Sequence, residues 1–350
     1  MRNICQLIGK EQNCPGSLAL ATIISSEGST PQKPGNSALF SEKGRIYGTV
    51  GGGILEKRVE ESALELLKTK EAGLFSFDLD HDISEKYEAI CGGKTIVLVD
   101  GDPCRSSEVF TFGTDLIKRR QPFVIGTFCN EVDGRITVSR SILTRGHEST
   151  SKWTNEVVLA SDRLLEERNP GNCTYLETVN VPGKKEVVFL EAIKPRERLF
   201  IAGAGHIGQA LCHYASRLDF EVTVADDRID YANKANLPEA DNILCGDIAG
   251  SLAGFPKDKS TFVVIVTRGH KDDAEVLKKC IGSGAAYIGM IGSRMKVARM
   301  KEDFIINGWT DEKTWSTIFA PVGIAIGSKT VDEIAVSIAA QLVQVRNSAR

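Results

Sequence analysis

Leu199-Phe200-Ile201-Ala202-Gly203-Ala204-Gly205-His206-Ile207-Gly208 is the stretch on which the reading of the fold turns. Its apolar start reads as a buried strand that runs straight into Gly-x-Gly-x-x-Gly. Beyond it, Ala210, Leu211, Tyr214, Ala215 and Leu218 recur at helical spacing. Such a turn lets backbone N–H groups approach a phosphate at the start of a helix, where the dipole favours negative charge. A second strand over residues 221–225 ends in Asp226-Asp227. A carboxylate at that point suits a ribose hydroxyl of a dinucleotide. The same turn also serves packing alone in folds that bind no dinucleotide.

Outward from this stretch the pattern alternates between strand and helix. Residues 242–245 read as a short third strand, and the β-branched run 261–267 reads as a strand buried on both faces. Residues 285–291 form a fifth. A final helix opens at a capping box, Thr330 with Glu333, and its apolar face carries Val331, Ile334, Ala335, Ile338, Leu342 and Val345. Residues 195–350 are therefore predicted to be a Rossmann-like, doubly wound parallel sheet. The charged, proline-bearing stretch Lys194-Pro195-Arg196-Glu197-Arg198 reads as the linker before it.

Ligands of open parallel sheets collect beyond the carboxyl ends of the strands. The candidates there are Gly203, Gly205, His206 and Gly208, then Asp226, Asp227 and Arg228, then Arg268 and His270, then Ser293 and Arg294. Arg268, His270 and Arg294 suit an anion. Equally, Asp272 and Asp273 could simply cap a helix, with the arginines solvated. Gly323-Ile324-Ala325-Ile326-Gly327-Ser328-Lys329-Thr330 resembles a P-loop, but one extra serine breaks the register, which excludes an NTPase on this feature.

Residues 1–194 read as a mixed α/β accessory domain. Strands are expected near 17–24, 37–40, 45–50 and 95–99, with a helix over roughly 55–70. Gly51, Gly52 and Gly53 precede that helix, and three successive glycines free the backbone to turn N–H groups towards an anion, with Glu56 close by. Cys91 stands before Gly92-Gly93, sterically open, as a candidate nucleophile or soft-metal ligand; a small buried thiol is the alternative. No metal set is otherwise apparent. Residues 105–193 carry further apolar stretches, 123–128 and 187–190 among them, and no readable chemistry.

Composition sets the bounds. With 350 residues, 42% hydrophobic and 25% charged, the chain is long enough for two globular domains. A net charge of −3 argues against a nucleic-acid surface. Nine cysteines without Cys-x-x-Cys, no apolar leader at the start and no run approaching the ~20 residues of a membrane span point to a cytoplasmic protein with mostly free thiols.

Taken together, the segments resemble the xanthine dehydrogenase accessory factor family (XdhC/CoxI). The pieces that carry this are Gly28-Ser29-Thr30-Pro31, Gly48-Thr49-Val50-Gly51-Gly52-Gly53 with Glu56, Cys91-Gly92-Gly93, the Gly203-to-Gly208 turn, Asp226-Asp227-Arg228 and Thr267-Arg268-Gly269-His270. Ile291-Gly292-Ser293-Arg294 and Glu333-Ile334-Ala335-Val336-Ser337-Ile338 complete the order. The resemblance implies a chaperone that holds the molybdenum cofactor, assists its sulfuration and delivers it to xanthine dehydrogenase or a related molybdenum hydroxylase. It implies a cysteine desulfurase as second partner and a homodimer. Relatives often carry Arg where this chain has Gln32 and Cys where it has Ile54, which leaves Cys91 as the cofactor-contacting thiol. An NAD(P)-binding oxidoreductase, with Asp226 favouring NAD and His270 as proton donor, is the competing expectation. An assembly scaffold with an inert Rossmann domain is a third.

Overall fold

Residues 2–10, 18–78, 93–146, 153–167, 173–181 and 184–348 are described in the computed structural model of the protein. The chain divides into two units, Met1–Pro195 and Arg196–Arg350. In the first, the elements are α1 (Arg2–Lys10), β1 (Ala19–Gly28), β2 (Ser37–Ser41), β3 (Gly44–Gly48), α2 (Gly53–Thr69), β4 (Ala72–Asp78) and β5 (Gly93–Asp100). They continue with α3 (Ser107–Lys118), β6 (Phe123–Val132), β7 (Arg135–Leu143), α4 (Asn155–Glu166), β8 (Cys173–Val181) and β9 (Lys184–Ile193).

These strands form one sheet in the order β3-β2-β1-β5-β4-β7-β6-β9-β8. Its two halves are joined in the strand ladder where Ala72 of β4 pairs with Ile136 of β7, and the buried Arg140 of β7 reaches across to Asp100 of β5. Alternation along β1 explains the layering. Ala19, Ala21 and Ile23 face Leu55, Val59, Ala63 and Leu67 of α2, while Leu18 and Leu20 pack with Ile4, Cys5 and Ile8 of α1 and Phe110 of α3. The described parts of residues 105–193 form α3, β6, β7, α4, β8 and β9. The β6–β7 hairpin turns at Asp133-Gly134, both with positive φ (51° and 74°), the backbone that a tight hairpin turn demands.

In the second unit the elements are β10 (Arg198–Ala202), α5 (His206–Arg217), β11 (Glu221–Asp226), β12 (Asn242–Cys245), α6 (Ile248–Ala253) and β13 (Thr261–Ile265). Next come α7 (His270–Cys280), β14 (Tyr287–Met290), α8 (Arg294–Ile306), α9 (Glu312–Trp315) and α10 (Val331–Asn347). All pairings are parallel, in the order β12-β11-β10-β13-β14. This is the doubly wound sheet expected, and its chain order reverses between β10 and β13.

Consecutive strand residues serve opposite faces. Leu199, Ile201, Val222, Val224 and Val264 pack with Leu211 and Ala215 of α5 and with Ile338 and Leu342 of α10. Phe200, Ala202, Val263 and Ile265 pack with Val276 and Leu277 of α7 and with Met300 and Phe304 of α8. Each large side chain so buried contributes about 1.5–3 kcal/mol, so helices are held on both faces. Two expectations need correction. Arg198 opens β10 rather than ending a linker. Val331 is 39% exposed, because it stands in the first turn of α10, short of the stretch from Ala335 that joins the core. The capping box at Thr330 and Glu333 is formed. Among the described residues no helix is long and apolar enough to cross a membrane.

Candidate functional site at the carboxyl edge of the parallel sheet

The glycine turn connects β10 to α5, and its glycines have different reasons to be there. Gly203 has φ of 115°, and a Cβ on it would lie 2.5 Å from the Val266 carbonyl oxygen. A Cβ on Gly208 would lie 2.0 Å from the Gly203 carbonyl oxygen. Both are therefore required by packing. Gly205 is not: its φ is −66°, and a Cβ there would meet nothing within 4 Å. Gly205 is the N-cap of α5 and makes no side-chain cap. The following residue, His206, is exposed. Gln209 turns its amide back, Nε2 donating to the Ala204 carbonyl oxygen at 2.9 Å.

Asp226 at the end of β11, expected to suit a ribose hydroxyl, is engaged by four donors of the chain itself. Its Oδ1 accepts from the Arg228 N–H at 3.0 Å and from Arg228 Nε at 2.9 Å. Its Oδ2 accepts from the Ala204 N–H at 2.8 Å and from Arg228 Nη2 at 3.0 Å. The residue is 2% exposed. Burial alone would raise its pKa, but the Arg228 guanidinium and the two backbone N–H groups outweigh burial and pull it down to about 2. Arg228 is in turn stacked over Tyr231, 3.7 Å from the ring centroid. Asp227 is half exposed and meets Arg268 Nη2 at 2.8 Å. These two residues follow β11 and β13, which flank β10 on either side.

The loop after β13 is fixed from below. Asp273, fully buried, accepts from Thr267 Oγ1 at 2.5 Å, from the Thr267 N–H at 3.2 Å and from Lys296 Nζ at 2.6 Å. A cation and two donors make a buried carboxylate tolerable. Sequence reasoning gave Asp273 only a capping role; its part in tying the loop to α8 requires knowing that α7 and α8 are neighbours. Ser293 is the N-cap of α8, its Oγ accepting from the Lys296 N–H at 3.2 Å. His206, His270 and Arg294 each open a helix, α5, α7 and α8, and all are exposed. The strands before them are adjacent, so these starts span about 10 Å of sheet edge. With Arg268 they line that edge with nitrogen donors.

The glycine run of the first unit turns its N–H groups to side chains of the same turn. Gly51, Gly52 and Gly53 all have positive φ (133°, 75° and 61°). Yet the carboxylate of Glu56 folds back upon them. Its Oε2 accepts from the Gly52 N–H at 3.0 Å and from Thr49 Oγ1 at 2.5 Å, and Arg45 completes an ion pair. Thr49 Oγ1 itself accepts from the Gly51 N–H at 3.2 Å. Burial pushes the Glu56 pKa up, but the Thr49 hydroxyl, the Gly52 N–H and Arg45 together hold it below the ordinary range. Glu56 is thus the anion of this turn.

Cys91 lies outside the described residues, so its expected role has no geometry. Among the described residues Cys5, Cys129, Cys212, Cys245 and Cys280 form no disulfide, and of these five only Cys245 is exposed; Cys104 is disulfide-bonded. Burial pushes the thiols of Cys5, Cys129, Cys212 and Cys280 up to about 12, which makes them inert. Among the described residues no cluster of His, Cys, Asp or Glu could hold a metal ion.

The second unit is thus a Rossmann-type parallel sheet that follows a mixed α/β unit, with His206, Arg268, His270 and Arg294 at the carboxyl edge of its strands. Residues 199–342 match the family model of the XdhC Rossmann domain, and residues 15–78 match that of the XdhC and CoxI family. The chain belongs to the XdhC and CoxI family. It is similar to a probable xanthine dehydrogenase subunit of Bacillus subtilis (strain 168), 26% identical over 93% of this chain and 92% of that protein. It is also similar to the uncharacterized protein YqeB of Escherichia coli (strain K12), 24% identical over 97% of this chain. It spans 45% of that relative, about half its length. A crystal structure of a xanthine dehydrogenase from Bacillus halodurans shares the fold, with a TM-score of 0.78 and 24% identity over 100% of this chain and 96% of that one.

Proposed function

We propose that this chain is an accessory protein of xanthine dehydrogenase or a related molybdenum hydroxylase, which binds the molybdenum cofactor, assists its sulfuration and passes it on. Family membership supports the accessory role. The observation that supports a phosphate-bearing cargo is Gly205. Packing accounts for Gly203 and Gly208, but neither packing nor backbone conformation requires a glycine at 205. What a missing side chain provides there is close approach from outside to the start of α5, where N–H groups and dipole favour a phosphate. The pterin cargo carries such a phosphate. Exposed Arg268 and Arg294, with the ring nitrogens of His206 and His270, offer donors to an anion without enclosing the ligand, which suits a carrier that must let go. Sulfuration needs a sulfur donor, and a cysteine desulfurase fits that part. The protein acts in this reading as a cytoplasmic homodimer.

Purified protein is loaded with molybdenum cofactor, and its retention and transfer to apo-dehydrogenase are measured beside Gly205→Ala. Wild type retains and transfers the cofactor. The variant loses retention while its stability stays within about 1 kcal/mol, since the new methyl group meets nothing. Retention no better than that of an unrelated protein would remove the proposal.

A further inference from the structure

We infer that Asp226 and Arg228 lock each other and thereby close this sheet edge to nicotinamide dinucleotides, so that its ligand is a phosphate-bearing molecule without an adenosine ribose to be read. The inference deepens the accessory reading and rests on it for the phosphate.

In doubly wound sheets an acid at the end of the second strand accepts from the ribose hydroxyls of NAD, and an arginine nearby receives the 2′-phosphate of NADP. Both residue types are present here, at the expected place. An ionised carboxylate offers about four acceptor positions. Asp226 has four donors on it: the Ala204 N–H, the Arg228 N–H, and Nε and Nη2 of Arg228. No acceptor capacity is left for a diol, and the carboxylate is out of solvent's reach. Arg228 is engaged by the same contact, bidentate on Asp226 and stacked on Tyr231. The group that would recognise NAD and the group that would recognise NADP recognise one another instead. A dinucleotide would have to break a bidentate pair and strip the Ala204 N–H of its acceptor, a replacement its ribose cannot match in charge. Asp227, the neighbouring carboxylate, is held by Arg268 Nη2 at 2.8 and 3.2 Å. That pair is exposed and can open. Its opening presents Arg268 to a phosphate, whereas Asp227 lies one residue beyond the strand end.

The full chain is titrated with NADH, NADPH and ADP-ribose by calorimetry, and the same ligands are applied to Arg228→Ala after its fold is checked by circular dichroism. Wild type is expected to show no saturation below about 1 mM with any of them. Arg228→Ala, which uncovers Asp226, gains NADH affinity by about tenfold or more and gains none for NADPH, whose 2′-phosphate meets the freed carboxylate. Saturable binding of NADH or NADPH to wild type overturns the inference, and so does a folded Arg228→Ala that gains nothing. The wild-type titration decides even if the variant does not fold. Cofactor retention is read separately: a protein that neither retains cofactor nor binds dinucleotide defeats the accessory reading and keeps the lock.

Discussion

The turns that open α2 and α5 look alike in sequence and differ in what reaches them. Each runs from a strand through glycines into a helix. At α2 the residue four beyond the N-cap Gly52 is Glu56, and its carboxylate takes the Gly52 N–H. At α5 the residue four beyond the N-cap Gly205 is Gln209, and its amide donates to the Ala204 carbonyl oxygen instead. One helix start is capped by a carboxylate of its own first turn; at the other that position donates back, and the carboxylate at the turn is Asp226 from the end of β11, on the Ala204 N–H. The α10 start agrees with the first case, for Glu333 Oε2 accepts from the Lys329 and Thr330 N–H groups at 2.6 and 3.0 Å. Glycine spacing therefore marks where an anion can sit. At α2 and α10 a glutamate in the first helical turn supplies it, whereas at α5 the Asp226 carboxylate takes the Ala204 N–H and leaves the Gly205 cap without a side chain on it.

The sharpest way to break this comparison is within the α5 turn. Gly208→Ala forces a methyl group to 2.0 Å from a backbone oxygen and is expected to destabilise the second unit by about 3 kcal/mol in denaturant unfolding. Equal effects of Gly208→Ala and Gly205→Ala would show that the two glycines serve the same purpose. Next in size is Gln209→Glu, which converts the α5 start to the α2 arrangement. Retention of the molybdenum cofactor should fall about tenfold, or 1.4 kcal/mol, with the unfolding midpoint unchanged. Undiminished retention would mean that the phosphate is held elsewhere.

Acid sensitivity sharpens the comparison from the other side. The pKa of Glu56 lies below its ordinary 4.5 in the folded protein, so its contribution to stability is fully present above that pH and is lost as pH falls from there through the lower folded value. Glu56→Gln should cost about 1 kcal/mol at neutral pH, and the gap to wild type should close in acid; a gap that is constant with pH would separate the turn from the charge of Glu56. Asp226, with a folded pKa of about 2 against an ordinary 3.8, contributes fully above about pH 4 and loses its contribution between there and pH 2. The smallest effect belongs to the exposed Asp227–Arg268 pair, worth less than about 1 kcal/mol. Asp227→Ala should leave the melting temperature in place and tighten cofactor binding a few-fold by releasing Arg268. Weaker binding would make Asp227 a ligand in its own right.

Much of the second unit was legible because its signals are local. The β-branched run at 261–265, the glycine turn and the Thr330 capping box each declare themselves within a few residues. The middle of the first unit was not read, although Asp133-Gly134 between alternating segments was a hairpin signal. β6 with β7 and β8 with β9 are local hairpins, but β6 with β9 and β4 with β7 pair strands far apart in the chain, which no local pattern shows. At the candidate site the positions of His206, His270 and Arg294 followed from the order of strands and helices. The engagement of Asp226 was partly legible, since Arg228 stands two residues on. The reach of Asp226 to Ala204 was not.

By itself the sequence determined the parallel sheet and which residues stand at the carboxyl ends of its strands, because side-chain periodicity and turn chemistry act over a few residues. Only the tertiary structure decided which donors at that border are already answered. Asp226 reaches Ala204 across 22 residues, and Asp273 meets Lys296 across 23. Such contacts depend on how strands and helices are set side by side, since a hydrogen bond is satisfied in space and not along the chain.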